Sequence, residues 1–483
     1  MYNISIWMGG GNMKLEKKYG LFTAIGMVVG IVIGSGVFFK AKSVLEKTGG
    51  NVSLGIIAWI IGGIIIASCA CTFAVIATKY ERVNGLIDYS EVMVGKKYAY
   101  YIGWFAATIY YPTLTSVLAW LCASYTGELL GAGWGNSSNN VMVLGVVYMV
   151  ASYALNAVAP KLAGKFQVTT TVIKLIPLVL MAAVGIIYGL IKTQVHFEVI
   201  NGEVINTGTN QLNILLENFS VKGKGGAAVL FGAVVATAFA YDGWIIATSI
   251  NAELKNAKKN LPLALFLGSM VIVVIYILYY LGVAGGATVD VLTTGGASYA
   301  FKEVFGNFFG TILTVFIVVS CMGTLNGLMI ASTRGFYSIA ERNLGPKPEV
   351  LKQIDPNTNM PTNSAIFGLL VAILWYAFFF GAILSEQNWF GVFAFDSSEL
   401  PIVTIYSMYI PIFVMMIVKE RKNFGVFKGV ILPIFAIISC VFMVVAAVIS
   451  HKMSVVYYLI VFTVFMIVGI FFSKEKNIIE EVK

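Results

Sequence analysis

Gly30-Ile31-Val32-Ile33-Gly34-Ser35-Gly36-Val37-Phe38 lies inside an apolar run, about 21–39, long enough to cross a bilayer. It nevertheless sets Gly, Ser and Gly in succession where a helix should be firm. Each Gly costs about 1 kcal/mol against Ala in a helix interior. In hydrocarbon, freed backbone N–H and C=O groups persist only where protein or a water-filled cavity satisfies them. A break here therefore predicts a cavity near the membrane midplane, the way secondary transporters build their sites. The other reading is a small-residue packing face of the Gly-xxx-Gly kind.

The 483 residues are 58% hydrophobic and only 11% charged, against about 25% charged in soluble domains. The chain reads as an all-α polytopic membrane protein. Hydropathy marks twelve spans: 20–40, 53–78, 98–130, 141–159, 166–191, 226–250, 261–287, 307–333, 363–384, 389–418, 427–449 and 453–472. With the N-terminus placed inside, 23 of the 32 Lys and Arg residues fall in cytoplasmic segments and 8 outside, Lys40, Lys42 and Lys47 among the latter. The net charge of +9 is thus a topology signal rather than a nucleic-acid footprint, and both termini are expected in the cytoplasm.

Cys69, Cys71, Cys122, Cys321 and Cys440 all lie in apolar runs, without a disulfide framework or zinc spacing. His196 and His451 fall in expected loops, so no His-based metal site is expected. No cleavable signal peptide is visible, and Met13 opens a second candidate start. The outer segment 192–225, with Asn201-Gly202 as a turn signal, is expected to be a hairpin or a disordered loop.

Span 6 carries the second anomaly, Phe239-Ala240-Tyr241-Asp242-Gly243-Trp244. An acid at that depth costs roughly 2.5–3.5 kcal/mol and needs a cavity or a partner. It either faces a site or caps a broken half-helix through backbone N–H groups. Spans 1 and 6 are each followed by four more, which suggests two five-helix blocks of opposite orientation. The expected organisation is a cytoplasmic segment 1–19, a first repeat 20–191, the outer loop 192–225, a second repeat 226–425, spans 11 and 12 over 426–472 and a tail 473–483.

Lys174, in Val172-Ile173-Lys174-Leu175-Ile176-Pro177, is the one Lys or Arg placed within a span. If buried and charged it needs acceptors, and freed carbonyls of a broken span 1 would serve. It would then do a sodium ion's electrostatic work, or carry a proton, since burial weakens a Lys's hold on its proton. The two acids of Asp396-Ser397-Ser398-Glu399-Leu400-Pro401 either sit within span 10 or cap a helix beginning near Leu400, and the Asp/Ser pattern with Pro at the helix start favours the cap. In span 8, Ser320, Gly323, Thr324 and Asn326 form a small polar stripe.

Gly34-Ser35-Gly36-Val37-Phe38 resembles the helix 1 signature of the amino acid–polyamine–organocation superfamily. Phe239 to Trp244 resembles the helix 6 motif of its L-amino-acid transporter branch. Glu253 with Lys258-Lys259-Asn260-Leu261-Pro262 is similar to the loop after helix 6, and Asn326-Gly327 with Ser332-Thr333-Arg334 to helix 8. Lys174 matches the helix 5 Lys of sodium-independent members. The resemblance implies twelve transmembrane helices, a LeuT-like 5+5 inverted repeat plus two peripheral helices, with helices 1 and 6 discontinuous. It implies that N–H groups of Gly34, Ser35 and Gly36 hold a substrate carboxylate, and that carbonyls of Ile33, Phe239, Ala240 and Asp242, beside Gly243, hold its ammonium. Phe239 matches the aromatic that closes over substrate, and Lys174 with Ser320 is carried over as the ion-substitute or proton site. The segment 131–140 has no Cys, where members bonded to an ancillary glycoprotein carry one, so no disulfide-linked subunit is expected.

The expected function is sodium-independent amino-acid transport across a cell membrane, by exchange or proton coupling, with no cofactor or metal. Neutral amino acids are favoured if Asp242 caps the half-helix; cationic amino acids or polyamines follow if its carboxylate faces the site. Against a channel, no charged ring lines the spans; a non-transporting sensor is the other alternative. Against an enzyme, there is no metal set, nucleophile–base pair or phosphate loop.

Overall fold

The computed structural model describes residues 20–80, 85–131, 133–135, 138–200, 203–222, 227–245 and 254–474. The two candidate starts, Arg82, the 246–250 end of span 6, Glu253 and the tail from 475 lie outside them.

The first apolar run is broken. Helix α1 (Leu21–Val32) ends where Ile33 turns extended, at φ −65° and ψ 109°, and α2 (Gly36–Lys47) starts after Ser35. Next come α3 (Val52–Lys79), the short α4 (Leu86–Met93), α5 (Lys96–Leu129), α6 (Asn139–Val158) and α7 (Pro160–Ile191). Side chains of Asn51 and Ser138 cap α3 and α6 by accepting from Leu54 N and Val141 N. The outer segment forms an antiparallel hairpin of β1 (Thr193–Ile200) and β2 (Glu203–Asn213), pairing Thr193 with Asn213 and Ile200 with Glu203. Of the two readings open for that segment, the hairpin is the one formed. Then follow α8 (Ile214–Ser220), α9 (Ala227–Tyr241), α10 (Ala257–Gly286) and α11 (Val289–Ala340), which is kinked at Gly296 and Gly306. The last helices are α12 (Pro348–Leu351), α13 (Thr362–Leu384), α14 (Leu400–Val426), α15 (Leu432–His451) and α16 (Met453–Phe471).

Among the described residues, nine helical stretches are long and apolar enough to cross a membrane, one of them running through both α14 and α15. Two shorter apolar helices, Leu21–Gly30 and Ala228–Tyr241, are the pieces flanking the anomalies read from the sequence. The chain is thus a multi-pass, helical membrane protein.

Proline shapes two of the long helices. Pro112 in α5 has no N–H to offer the Thr108 carbonyl. The helix widens into a π turn over Ala106–Tyr110, and Trp375 Nε1 of α13 donates to Thr108 O at 2.8 Å. Pro177 in α7 likewise interrupts the helix at Lys174, and a π turn follows over Met181–Gly185. Just beyond, Gly185 and Gly189 of α7 meet Gly282 and Gly285 of α10 backbone to backbone. Small-residue packing of the kind weighed for span 1 is found here.

Three expectations are corrected. Span 10 does not begin at 389: residues 385–399 form turns and a short 3-10 segment, and the helix opens at Leu400 with Pro401 in its first turn. Span 1 does not end at Lys40: α2 continues to Lys47, and Lys40 is 1% exposed. His451 is the last residue of α15 rather than part of a loop.

Candidate functional site

The break in the first run sits against the end of α9. A Cβ added to Gly36 would lie 2.8 Å from Ala240 Cα and 3.1 Å from Phe239 O, so only glycine permits this approach of two backbones. Helix α9 stops at Tyr241, and Gly243 takes φ 95°, a conformation that glycine adopts without steric cost. Two helix ends are thus unwound side by side, each with peptide groups lacking intrahelical partners.

Some of these groups are met by side chains. Tyr276 Oη of α10 lies 2.9 Å from Ala240 O and 3.3 Å from Val32 O, bridging the carbonyl ends of both pieces. Ser35 N donates to Thr324 Oγ1 of α11 at 3.3 Å. Lys174, 3% exposed, donates from Nζ to Gly30 O at 2.7 Å. That carbonyl lies in the last turn of α1, where the break frees it. The acceptor expected for Lys174 is therefore the one it has.

The space between the ends is a cavity of about 260 Å³. Gly34, Ser35, Gly36, Phe239, Ala240, Asp242, Gly243 and Lys174 all line it, joined by Leu114 and Leu118 of α5, Gln167 of α7, and Thr324, Gly327, Leu328 and Ile330 of α11. Of the residues expected there, Ile33 is fully buried but outside the lining. Ser320 is buried outside it as well, and its hydroxyl has no hydrogen-bond partner among the described residues. Ser35 Oγ, on the wall itself, is also buried without a partner. Among the described residues, two ionisable side chains reach the wall, Lys174 and Asp242. Tyr110 Oη lies 2.6 Å from each carboxylate oxygen of Asp242. Phe239 lines the cavity and meets Phe39 edge-on at 6.2 Å; Phe39 in turn meets Trp120 at 5.5 Å.

Beyond these rings opens a second, polar cavity of about 600 Å³. Its wall carries Glu399, which is 1% exposed and meets two lysines and a histidine. Lys40 Nζ meets Oε1 at 2.8 Å, Lys47 Nζ meets Oε2 at 2.7 Å, and His451 Nε2 lies 3.1 Å from Oε2. Asp396 Oδ1 accepts from Ser398 N at 2.7 Å and from Ser398 Oγ at 2.5 Å, shaping the turn before α14. The side-chain capping read from the sequence is not formed: Asp396 shapes the turn before α14, and Glu399 makes no side-chain cap and serves instead as an ionic anchor.

Tyr110, Tyr276, Gln167 and the Leu114–Leu118 face were missed. Pro112 in mid-span was the one available signal for the Tyr110 π turn. Nothing in a span rich in Tyr marks Tyr276. Asn326 of the polar stripe turns away from the cavity, donating to Ala163 O and Gln167 Oε1 and accepting from Asn156, so it joins α11 to α6 and α7. Among the described residues, no group of three His, Cys, Asp or Glu side chains is placed to hold a metal.

A family described as "Amino acid permease" matches residues 19–472. The chain is 30% identical to the serine/threonine exchanger SteT of Bacillus subtilis (strain 168), over 91% of its own length and 93% of the relative's. It is 27% identical to the large neutral amino acids transporter small subunit 2 of Mus musculus, over 76% of this chain and 66% of that one. With Asc-type amino acid transporter 1 of the same species the figures are 25%, 71% and 61%. These relatives are transporters rather than enzymes. With a match reaching across nearly the whole chain, the protein belongs to the amino acid permease family, within the amino acid–polyamine–organocation superfamily and on its L-amino-acid transporter branch.

Proposed function

We propose that the protein is a sodium-independent transporter of neutral L-amino acids, working by alternating access and driven by exchange or proton coupling. The observation that carries the reading is the pairing of two unwound helix ends around one small cavity. The start of α2 offers N–H groups at Gly34, Ser35 and Gly36, that of Ser35 now resting on Thr324 Oγ1, together with a positive dipole end, which suits a carboxylate. The carbonyl ends of α1 and α9, at Ile33, Phe239, Ala240 and Asp242 beside Gly243, suit an ammonium. A zwitterion spanning both needs no charged side chain. Phe239 is the gate on the side of the polar cavity, and Lys174 on Gly30 O supplies the positive charge that a sodium ion would bring. Ser320 belongs to the same reading as part of the ion-substitute or proton site.

The same proposal takes the chain as twelve spans: repeats over 20–191 and 226–425, the outer loop 192–225, two peripheral helices over 426–472, and both ends, 1–19 and 473–483, in the cytoplasm of a cell whose plasma membrane holds it. It includes no disulfide-linked partner, because 131–140 lacks a Cys.

Uptake of radiolabelled amino acids into proteoliposomes, with sodium present and absent, is the test. The expected result is sodium-free uptake of small neutral amino acids, accelerated by unlabelled amino acid or a proton gradient inside. Failure to move any amino acid overturns the reading, and strict sodium dependence overturns the part assigned to Lys174.

A further inference from the structure

Asp242 is the one acid on the cavity wall, and among the described residues it forms no ion pair. Its two oxygens are both 2.6 Å from a single phenol, Tyr110 Oη, which is the side-chain donor to a carboxylate that also accepts from the backbone of Gly243. That phenol is aimed by the π turn at Ala106–Tyr110, which Pro112 forces on α5. One and two turns further along lie Leu114 and Leu118, both on the wall. Tyr110 itself is 5% exposed and outside the lining, so it reaches the carboxylate from behind. The face presented to a substrate is therefore leucines beside a carboxylate whose charge is already shared with a donor. A hydrogen bond to a charged group is among the stronger ones, and removing its donor leaves the charge seeking another.

We propose that Tyr110 sets the charge preference of this pocket. With its hydroxyl on Asp242, the carboxylate is a wall that tolerates uncharged side chains. Without it, the same carboxylate becomes an anchor for a second ammonium or a guanidinium. The inference rests on the amino-acid transport reading and adds to it the residue that selects between neutral and cationic substrates.

The test is competitive uptake of alanine and lysine in proteoliposomes by the full chain, Tyr110→Phe, Asp242→Asn and the double variant. Wild type is expected to favour alanine. Tyr110→Phe is expected to lower the alanine-to-lysine ratio by about tenfold, the equivalent of 1.4 kcal/mol. In the Asp242→Asn background the same Tyr110→Phe change is expected to leave the ratio unmoved, because the tyrosine acts through the acid. A Tyr110→Phe ratio equal to that of wild type overturns the proposal, as does an equal shift with and without Asp242. If Tyr110→Phe binds but does not transport, thermal stabilisation of the purified variant by alanine and by lysine reads the same ratio. If it does not fold, Asp242→Asn decides: with the tyrosine intact it is expected to stay alanine-selective, and a swing to lysine overturns the idea. A wild type that moves no amino acid removes the transport reading instead, which keeps the two failures apart.

Discussion

The first half of the broken run, α1, is secured by neutral dipoles and one lysine; the second half, α2, is secured by ions. Val32 O and Gly30 O meet a tyrosine hydroxyl and Lys174 Nζ. On the other side of the break, Lys40 and Lys47 both grip Glu399 at the entry to α14, with His451 of α15 behind. A dipolar tie can change partner at small cost. A buried ion pair cannot lose one member without leaving a bare charge in a low dielectric. The two halves of one helix should therefore differ in how much a single substitution costs.

Four measurements can break or sharpen that contrast. The largest effect is expected at Glu399→Ala, which strands Lys40 and Lys47. Removing one member of a buried pair costs about 3–5 kcal/mol, so a large drop in the thermal unfolding midpoint in detergent is expected. Combining Glu399→Leu with Lys40→Met should recover much of it, whereas simple additivity would show that the pair is not coupled.

Next is Gly36→Ala. Its methyl must displace the α9 backbone at Ala240, an overpacking worth about 1–3 kcal/mol. Substrate binding should fall along with stability, since the same contact aligns both unwound ends. Tyr276→Phe removes a hydroxyl shared by two carbonyls and should cost about 0.5–1.5 kcal/mol. Normal affinity in that variant would separate the bridge from the site.

The smallest effect lies near the C-terminal end of α14, beyond its apolar stretch. Burial pushes the Glu420 carboxyl up, but donors from Lys79, Tyr80 and Asn423 outweigh it and hold the group below its ordinary value. A lowered acid contributes stability above its unfolded pKa, about 4.3, and loses it as pH falls through the lower folded value. Unfolding midpoints of wild type and Glu420→Gln should therefore converge as pH drops below about 4.

What could be read from the sequence follows from the same physics. Gly34-Ser35-Gly36, Asp242 and Lys174 stand out because hydrocarbon penalises them, and each lies on the cavity wall. Thr324 is visible only as part of the span 8 polar stripe, whereas Tyr110 and Tyr276 are ordinary residues for a membrane helix, and only three-dimensional pairing gives them work. Glu399 was misread because an acid before Leu-Pro looks like a helix cap, while its partners Lys40 and Lys47 lie more than 350 residues away. Span 10 began too early because Trp389 to Phe395 is apolar enough to pass for membrane-buried sequence.

The glycine contact of α7 with α10 carries one more consequence. Gly185 and Gly189 leave no side-chain cushion against Gly282 and Gly285, so these two helices should travel as a single plank. Lys174 rides on one and Tyr276 on the other. Any tilt of α1 would then be felt by both residues in the same instant, and neither could release its carbonyl while the other held on.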